Sequence, residues 1–303
     1  MKLSIITPVV NESESVNICI QQWAMTAFHD DLEIEVIIAD NGSNESHLKN
    51  YEKLQEFHHG FEVKVISYPY PGRVIPAKAK AYEQATGDYL LFADAHILYY
   101  PGSFASSIAL FQREDIGAVC MLHNHLGMTP VNVEFLGGDK KCYETGEPAR
   151  YNDDPRIIFM SGYSGTMIKR EWYDKLGRLF PDVFEQVGGG YCADEDLLCT
   201  LTWLFGKKVI LNSKAIYWHL IYKHNGDEGK VKGLTDSLLV AHYLKNGDDP
   251  EWHKWVTNWR GSIDPELLTK IPEIAKEARE YIKANSKWKY SDLFKNWEKM
   301  LHA

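Results

Sequence analysis

Short apolar runs alternate with segments of helical periodicity through the first hundred residues of the chain. Runs of strand length lie at 2–7, 33–39, 62–68 and 89–93. Apolar residues recur at helical spacing in 13–26, 45–57 and 76–86. Strands that alternate with helices predict βαβ units, so we expect an α/β fold built on a mixed, mainly parallel sheet flanked by helices.

The pattern loosens after a further apolar run at 118–122. The segment 137–156 is rich in Gly, Asp, Lys and Pro and is predicted to be an insertion or a mobile loop. Regular spacing returns at 162–168, in a helix at about 195–205, and in strands at 208–211 and 215–218. From residue 226 onward the chain is predicted to be mostly helical. We therefore predict an α/β domain over 1–225 and a helical C-terminal extension over 226–303.

Candidate chemistry is expected where the predicted strands end. In open α/β sheets, ligands bind beyond the carboxyl ends of the strands. In this chain those ends are followed by three polar segments, at 8–13, 40–43 and 94–96.

The segment 94–96 carries a carboxylate and an imidazole two residues apart, Asp94 and His96. Both side chains can reach one divalent cation, and oxygen and nitrogen ligands of this kind suit Mn²⁺ or Mg²⁺. Such a cation would neutralise charge on a diphosphate leaving group. Taken alone, most such triplets are solvated loop residues. The position directly after a buried strand favours the metal site.

The other two segments have structural explanations that stay open. Asp40 and Asn41 begin an Asp-Asn-Gly-Ser sequence that forms a turn by itself, although the Asp40 carboxylate could also accept a hydrogen bond from a nucleobase. Pro8, Asn11 and Glu12 precede a helix whose amino end could face an anion, but a plain helix cap explains them equally well.

Two later features extend the candidate list. Three glycines at 188–190 precede Asp194, Glu195 and Asp196 at a predicted helix start. The helix dipole alone explains acids there, but a carboxylate beside a glycine-rich loop also suits a general base for an acceptor hydroxyl. His219 ends a late strand and is a candidate third metal ligand, although a lone histidine is more often packed or solvated.

Composition narrows the function classes. The 42 acidic and 33 basic residues give a formal charge of −9, which argues against broad nucleic-acid binding. No apolar run reaches eighteen residues, so no transmembrane segment is expected. Five dispersed cysteines are typical of reduced thiols, and sequons at Asn11, Asn41 and Asn44 would place glycans on the candidate site. Both observations predict a cytoplasmic protein.

The order of these motifs resembles glycosyltransferase family 2, whose members have the GT-A (Rossmann-like) fold. The matching residues are Pro8, Asn11-Glu12, Asp40-Asn41-Gly42-Ser43, Gly72-Arg73, Gly87-Asp88-Tyr89, Asp94-Ala95-His96, Ser161-Gly162, Lys169-Arg170-Glu171-Trp172, Gly177, Gly189-Gly190, Glu195-Asp196 and His219. They span about residues 2–225. The resemblance implies a nucleotide-sugar half at about 1–100 and an acceptor half at about 101–225.

The resemblance also implies roles for individual residues. Asp40 would bind the base, which is uracil in most relatives, and Pro8, Asn11, Glu12 and Asn41 would border the nucleotide. Asp94 and His96 would hold Mn²⁺ or Mg²⁺, with His219 as a third ligand. Arg73 and Lys78 would face the donor, a UDP-sugar, and Asp196 or Glu195 would lie at the acceptor's hydroxyl oxygen.

The sequence departs from the family pattern in two places, and the first leaves the stereochemistry open. Most members have Asp-x-Asp, whereas Asp-x-His with a later histidine is more like the polypeptide N-acetylgalactosaminyltransferases, which retain anomeric configuration. The Glu195-Asp196 pair favours the inverting outcome of family 2. Lys78-Ala79-Lys80 stands where the family often has Arg-Asn, so the resemblance does not specify the phosphate contacts.

The acceptor is not specified by the sequence, and glycans, lipid-linked sugars, protein side chains and modified bases all stay open. Trp252, Trp255 and Trp259 share a helix face, which favours core packing over sugar stacking. A stripe of Tyr290, Leu293, Phe294, Trp297 and Leu301 beside lysines favours docking on the domain, with peripheral membrane contact as the alternative. A nucleotidyltransferase and a non-catalytic nucleotide-sugar-binding protein are the competing functions.

Overall fold

The computed structural model describes residues 1–56, 60–68, 73–125, 153–159, 165–187, 193–220, 228–247 and 264–295. Most of the predicted insertion at 137–156 lies outside these residues, as do the glycines at 188–190 and the three tryptophans at 252, 255 and 259. The side chains of 124–125, 228–235 and 294–295 also lie outside the description.

A nine-stranded mixed sheet forms the centre of the described structure. Its strands are β1 (Lys2–Val9), β2 (Glu33–Asp40), β3 (Glu62–Ser67), β4 (Tyr89–Phe92), β5 (Ile97–Tyr99), β6 (Ile116–His125), β7 (Arg156–Ile158), β8 (Thr166–Lys169) and β9 (Lys208–His219). They are ordered β3-β2-β1-β4-β8-β6-β9-β5, with β7 paired to β9. Strands β3, β2, β1 and β4 are parallel, and β8 joins them antiparallel.

Helices cover the sheet and continue into the C-terminal region. Within the described residues they are α1 (Ser13–His29), α2 (Glu45–Glu56), α3 (Val74–Tyr82), α4 (Ser103–Leu110), α5 (Arg170–Lys175), α6 (Pro181–Val187), α7 (Ala193–Leu204), α8 (Glu228–Asn246), α9 (Pro265–Ile274), α10 (Lys276–Asn285) and α11 (Tyr290–Lys295). The predicted α/β class with a helical C-terminal part is confirmed.

Two apolar cores lie on opposite faces of the sheet. One contains Trp23 of α1 and Ile38 of β2, both fully buried. The other joins α7 to the C-terminal helices, and Leu197, Leu244 and Leu293 are all buried in it. The predicted apolar stripe at 290–301 therefore contributes at least Leu293 to the protein core.

Some boundaries differ from those predicted. The strands expected at 208–211 and 215–218 form one strand, β9, in which the pairing with β6 shifts between Asn212 and Ile216. Strand β5 has only three residues, which is too short to produce a recognisable periodic pattern. Its antiparallel pairing with β9 aligns Ile97 with His219, and this pairing shapes the site described next.

Among the described residues, no helix combines the length and the apolar character needed to cross a bilayer.

Candidate active site

The ends of β1, β2 and β4 meet at one edge of the sheet. Val9 aligns with Asp40 across the β1–β2 pair, and the Asn41 amide donates to the Val9 carbonyl at 2.9 Å. The Ala93 amide donates to the Ile6 carbonyl at 3.0 Å, so β4 also ends beside β1. The three polar segments singled out in the sequence therefore lie at a common edge.

Asp94, His96 and His219 form a compact cluster at this edge. The Nε2 atoms of His96 and His219 are 3.2 Å apart, and His219 Nε2 lies 3.7 Å from Asp94 Oδ2. One ligand atom from each residue lies within 4.8 Å of the others. The cluster depends on the pairing of β5 with β9, reinforced by the Leu220 amide, which donates to the His96 carbonyl at 2.8 Å.

A buried carboxylate fixes the orientation of His96. Glu12 Oε2 lies 2.7 Å from His96 Nδ1, and both residues are less than a tenth exposed. A proton on Nδ1 leaves Nε2 directed at the cluster, which is the arrangement that a metal-ligating histidine commonly has. Burial lowers the pKa of His96, but the hydrogen bond and charge of Glu12 raise it by more.

The Asp94 carboxylate is suited to the ionised state. Burial raises its pKa, but the hydrogen bond from His219 and the positive charge of Lys78 outweigh burial and lower it. Two imidazoles and one ionised carboxylate, with a carboxylate behind one imidazole, make a chemically consistent donor set for a divalent cation.

The segment after β2 is tied to the segment after β1. Asp40 is 1 % exposed, and its Oδ1 accepts from the Ser43 amide at 3.0 Å across a turn in which Gly42 has φ +91°. Asn11 donates its amide to Ser43 Oγ at 2.8 Å, and its Oδ1 accepts from the Asn44 amide at 2.9 Å. Asp40 therefore stabilises its own turn, as the structural explanation requires.

One polar atom at this edge has no hydrogen-bond partner in the described part of the chain. Asn41 is 2 % exposed, and its Oδ1 is a buried acceptor without a donor. Buried acceptors of this kind are uncommon, and each calls for an explanation such as a ligand or an ordered water.

Tyr51 was not identified from the sequence, although it holds the segment after β1 in place. Its ring is fully buried on α2, and its hydroxyl accepts from the Glu12 amide at 2.8 Å. The helical spacing of apolar residues in α2 indicates that this aromatic ring lies in the core. The sequence contains no signal that its hydroxyl binds the segment after β1.

The acidic residues at the start of α7 point in different directions. Asp194 forms a buried ion pair with Lys78 of α3, a partner that sequence reasoning did not identify. Asp194 and Glu195 line a cavity together with Lys78, Phe92 and Thr166. Burial and the adjacent Asp194 charge raise the pKa of Glu195 well above that of an ordinary carboxyl.

Asp196 lies in a different environment from its neighbours. It forms an ion pair with Lys245 of α8, and Thr200 Oγ1 donates to its Oδ1 at 3.1 Å. Of the two predicted base candidates, only Glu195 lines the cavity with Lys78.

The remaining predicted residues border the same region. Pro8 aligns with Ala39 in the β1–β2 pair, close to the ends of both strands. Arg73 directly precedes α3 and is half-buried beside Tyr68, whose hydroxyl donates to Glu185 Oε1 at 3.2 Å. Lys78 lies in the middle of α3, with its Nζ 5.6 Å from the centre of the Phe92 ring.

The sequence model of the family described as "Glycosyl transferase family 2" matches residues 4–177. That range includes every candidate residue except those of α7 and His219. A comparison with curated protein sequences found no match to the chain.

Several solved structures have a fold similar to that of this chain. The chain superposes on GalNAc-T7, crystallised with UDP, GalNAc and Mn²⁺, with a TM-score of 0.60 and 18 % identity over 90 % of this chain and 54 % of the other. TarS of S. aureus superposes with a TM-score of 0.52 and 15 % identity over 94 % of this chain and 54 % of its own. The chain therefore spans about half the length of these two proteins.

A third similar structure is closer to this chain in length. The mannosyltransferase PcManGT from Pyrobaculum calidifontis, solved with GDP-Man and Mn²⁺, superposes with a TM-score of 0.52 and 15 % identity over 99 % of this chain and 80 % of its own. At these identities the likeness establishes the fold, which is GT-A.

Proposed function

Because this chain belongs to glycosyl transferase family 2, we propose that it moves a sugar from a nucleoside-diphosphate sugar to a hydroxyl acceptor with the help of a divalent cation. The observation that carries the proposal is the cluster of Asp94, His96 and His219 at the carboxyl edge of the sheet, with Glu12 behind His96. When bound there, a divalent cation would neutralise charge that develops on the leaving diphosphate.

The donor set favours Mn²⁺ over Mg²⁺. Two of the three ligands are imidazole nitrogens, and Mg²⁺ prefers oxygen ligands in an octahedral arrangement. Asp94, His96 and His219 would hold the cation, which would supply positive charge to the diphosphate.

The segments around Asp40 and Asn11 would bind the nucleoside. The unpaired Asn41 Oδ1 and the second oxygen of Asp40 are acceptors, and they suit the N–H edge of a base such as uracil and the hydroxyls of the ribose. We therefore propose a UDP-sugar as the donor. Among the similar structures, GalNAc-T7 was crystallised with UDP and PcManGT with GDP-Man, so a donor screen has to include both nucleotides.

Positive charge on the donor side would come from Arg73 and Lys78. Burial lowers the pKa of Lys78, but the carboxylates of Asp194, Glu195 and Asp94 raise it by more, so its ammonium stays charged. The charge of Lys78 therefore interacts both with the acids of α7 and with the Asp94 carboxylate of the cluster.

Glu195 is the base that the geometry favours, because Asp196 is engaged by Lys245. In an inverting transfer, Glu195 would take the proton of the acceptor hydroxyl while that oxygen attacks the anomeric carbon. The bond from the anomeric carbon to the diphosphate oxygen breaks, and the nucleoside diphosphate leaves with the electron pair.

A retaining transfer is the second candidate, because the Asp-x-His cluster with a later histidine is the arrangement of a retaining group. The anomeric configuration of the product, measured by ¹H NMR immediately after transfer, separates the two outcomes.

The proposal is tested by nucleoside-diphosphate release across a panel of nucleotide sugars. We expect release that stops on chelation with EDTA, returns with Mn²⁺, and falls by at least about 100-fold in Asp94→Ala. Asp88→Ala, which removes a carboxylate at the opposite end of β4, is the matched control and should keep its activity. Pyrophosphate release would instead identify a nucleotidyltransferase, and donor binding without turnover on any acceptor would identify a non-catalytic binding protein.

A further inference from the structure

The C-terminal helices hold α7 at both ends. At its first turn, the Lys245 ammonium of α8 pairs with Asp196, and both side chains are at least 85 % buried. At its last turn, the Lys287 amide donates to the Leu204 carbonyl at 2.7 Å. The adjacent Gly206 has φ +85°, which favours glycine, and the end of the Lys287 side chain lies against it.

Neighbouring side chains enclose the Lys245 side chain. Its Nζ lies 5.4 Å from the centre of the Tyr290 ring of α11, and that ring meets His242 edge-on at 5.9 Å. Burial lowers the pKa of Lys245, but the Asp196 carboxylate raises it by more, so the side chain stays cationic. A buried ion pair contributes little net stability compared with apolar residues of the same size, so its value lies in the orientation that it imposes.

The orientation of Asp196 determines where its neighbours point. Successive residues of an α-helix are about 100° apart around the axis. With Asp196 held against α8, Glu195 and Asp194 are turned toward α3, where Lys78 pairs with Asp194 and where both acids line the cavity. The two buried ion pairs therefore set the rotation of α7 from opposite sides.

We propose that Lys245 is a positioning residue that holds the first turn of α7 in the rotation that keeps Glu195 directed at the acceptor hydroxyl. This role rests on the proposed function, and it gives the C-terminal helices a part in the reaction beyond covering the core.

The test compares Lys245→Met, Lys245→Arg, the double variant Asp196→Asn/Lys245→Met, and the single variants Asp196→Asn and Glu195→Gln. The matched control is Lys270→Met, which removes a lysine of α9 that pairs with Glu266 at the surface. Each variant is measured for kcat, for the donor KM, and for hydrogen exchange of the α7 amides.

We expect Lys245→Met to lower kcat by about 10- to 100-fold with little change in the donor KM, because a misplaced base affects the chemical step rather than donor binding. Exchange should accelerate at 197–200, whose amides donate to the carbonyls of the first turn, more than in the last turn of α7. Arginine should restore most of kcat. The double variant should recover part of it, because it no longer has an unpaired buried carboxylate at Asp196.

Three results would overturn the role. Lys245→Met could keep its kcat per folded molecule, or the exchange of the 197–200 amides could stay unchanged, or Asp196→Asn alone could remove activity as fully as Glu195→Gln. The last result would make Asp196 itself the base. If Lys245→Met fails to fold, the double variant decides the question. If the wild-type chain transfers no sugar, the proposed function fails, and hydrogen exchange still reports whether Lys245 orders the α7 turn.

Discussion

At the scale of single residues, the Glu12–His96 contact is the feature with the most direct consequence. The carboxylate lies 2.7 Å from Nδ1, on the side of the ring opposite the atom that faces His219. In the proposed metal site, a residue placed this way would not touch the cation, but it would fix the ring's tautomer and direction.

Glu12→Gln should therefore lower Mn²⁺ affinity by about 10- to 100-fold while the three ligands stay intact. Isothermal titration with Mn²⁺ measures the change. Glu14→Gln is the control, because that carboxylate is 72 % exposed and faces His47 rather than the cluster. Equal affinity in Glu12→Gln and the wild type would remove Glu12 from the site.

The proposed base makes a prediction about pH. Burial and the Asp194 charge raise the pKa of Glu195, and the Lys78 charge opposes them. A base works only when it is ionised, so kcat should rise with pH through a value above that of an ordinary glutamate. Lys78→Met removes the opposing charge and should move this acid limb to higher pH.

The matched control for that shift is Lys80→Met, two residues away on the same helix and paired with Glu83 at the surface. Its pH profile should overlay that of the wild type. If the pH at which kcat rises is the same in Lys78→Met as in the wild type, whatever the loss of activity, Glu195 is not the base.

At the scale of secondary-structure elements, a buried carboxylate joins β1, β2, β3 and the turn before β4. Glu35 of β2 is fully buried and accepts from Ser4 Oγ at 2.6 Å, from Thr86 Oγ1 at 3.0 Å and from Lys64 Nζ at 3.1 Å. Burial raises its pKa, but these hydrogen bonds outweigh burial and lower the pKa to about 2.

Because the pKa of Glu35 in the folded state lies below the ordinary value of 4.5, Glu35 stabilises the fold at pH values above 4.5. The contribution, about 3 kcal/mol, is lost as pH falls from about 4.5 toward 2. Glu35→Gln should flatten the acid side of the stability curve in urea unfolding measured at several pH values. If the free energy of unfolding falls equally steeply with pH in Glu35→Gln and in the wild type, Glu35 has the same pKa in the folded and unfolded states.

The elements differ in how far they could be predicted from sequence. Strands β1 to β4 were predictable because each apolar run is long and is followed by a polar loop. Strand β5 was not, because three residues carry no period, and its pairing with β9 is what aligns Ile97 with His219. From the residues alone His219 was therefore one open candidate, and the family resemblance is what placed it with Asp94 and His96.

The same limit applies to the acids of α7. The sequence indicates a helix start rich in carboxylates, which is correct. It contains no signal that Asp194 pairs with Lys78 and Asp196 with Lys245, because both partners are distant along the chain and meet only through packing. Tertiary ion pairs of this kind follow from the fold rather than from local pattern.

At the scale of the whole molecule, the parallel half of the sheet and the helical C-terminal part converge on one edge. The segments after β1 and β2 border the proposed nucleoside site, and the proposed metal ligands are Asp94 and His96, which follow β4, and His219, which ends β9. Helix α7 supplies the acids, and the C-terminal helices hold α7 in place. The site is thus assembled from both halves of the α/β fold.

The most direct measurement is the anomalous scattering of manganese in crystals grown with Mn²⁺ and UDP. The account predicts one strong peak bonded to Asp94, His96 and His219, with the diphosphate oxygens completing its coordination. A manganese ion bound at any other place, or UDP bound with no manganese at these three side chains, would contradict the account.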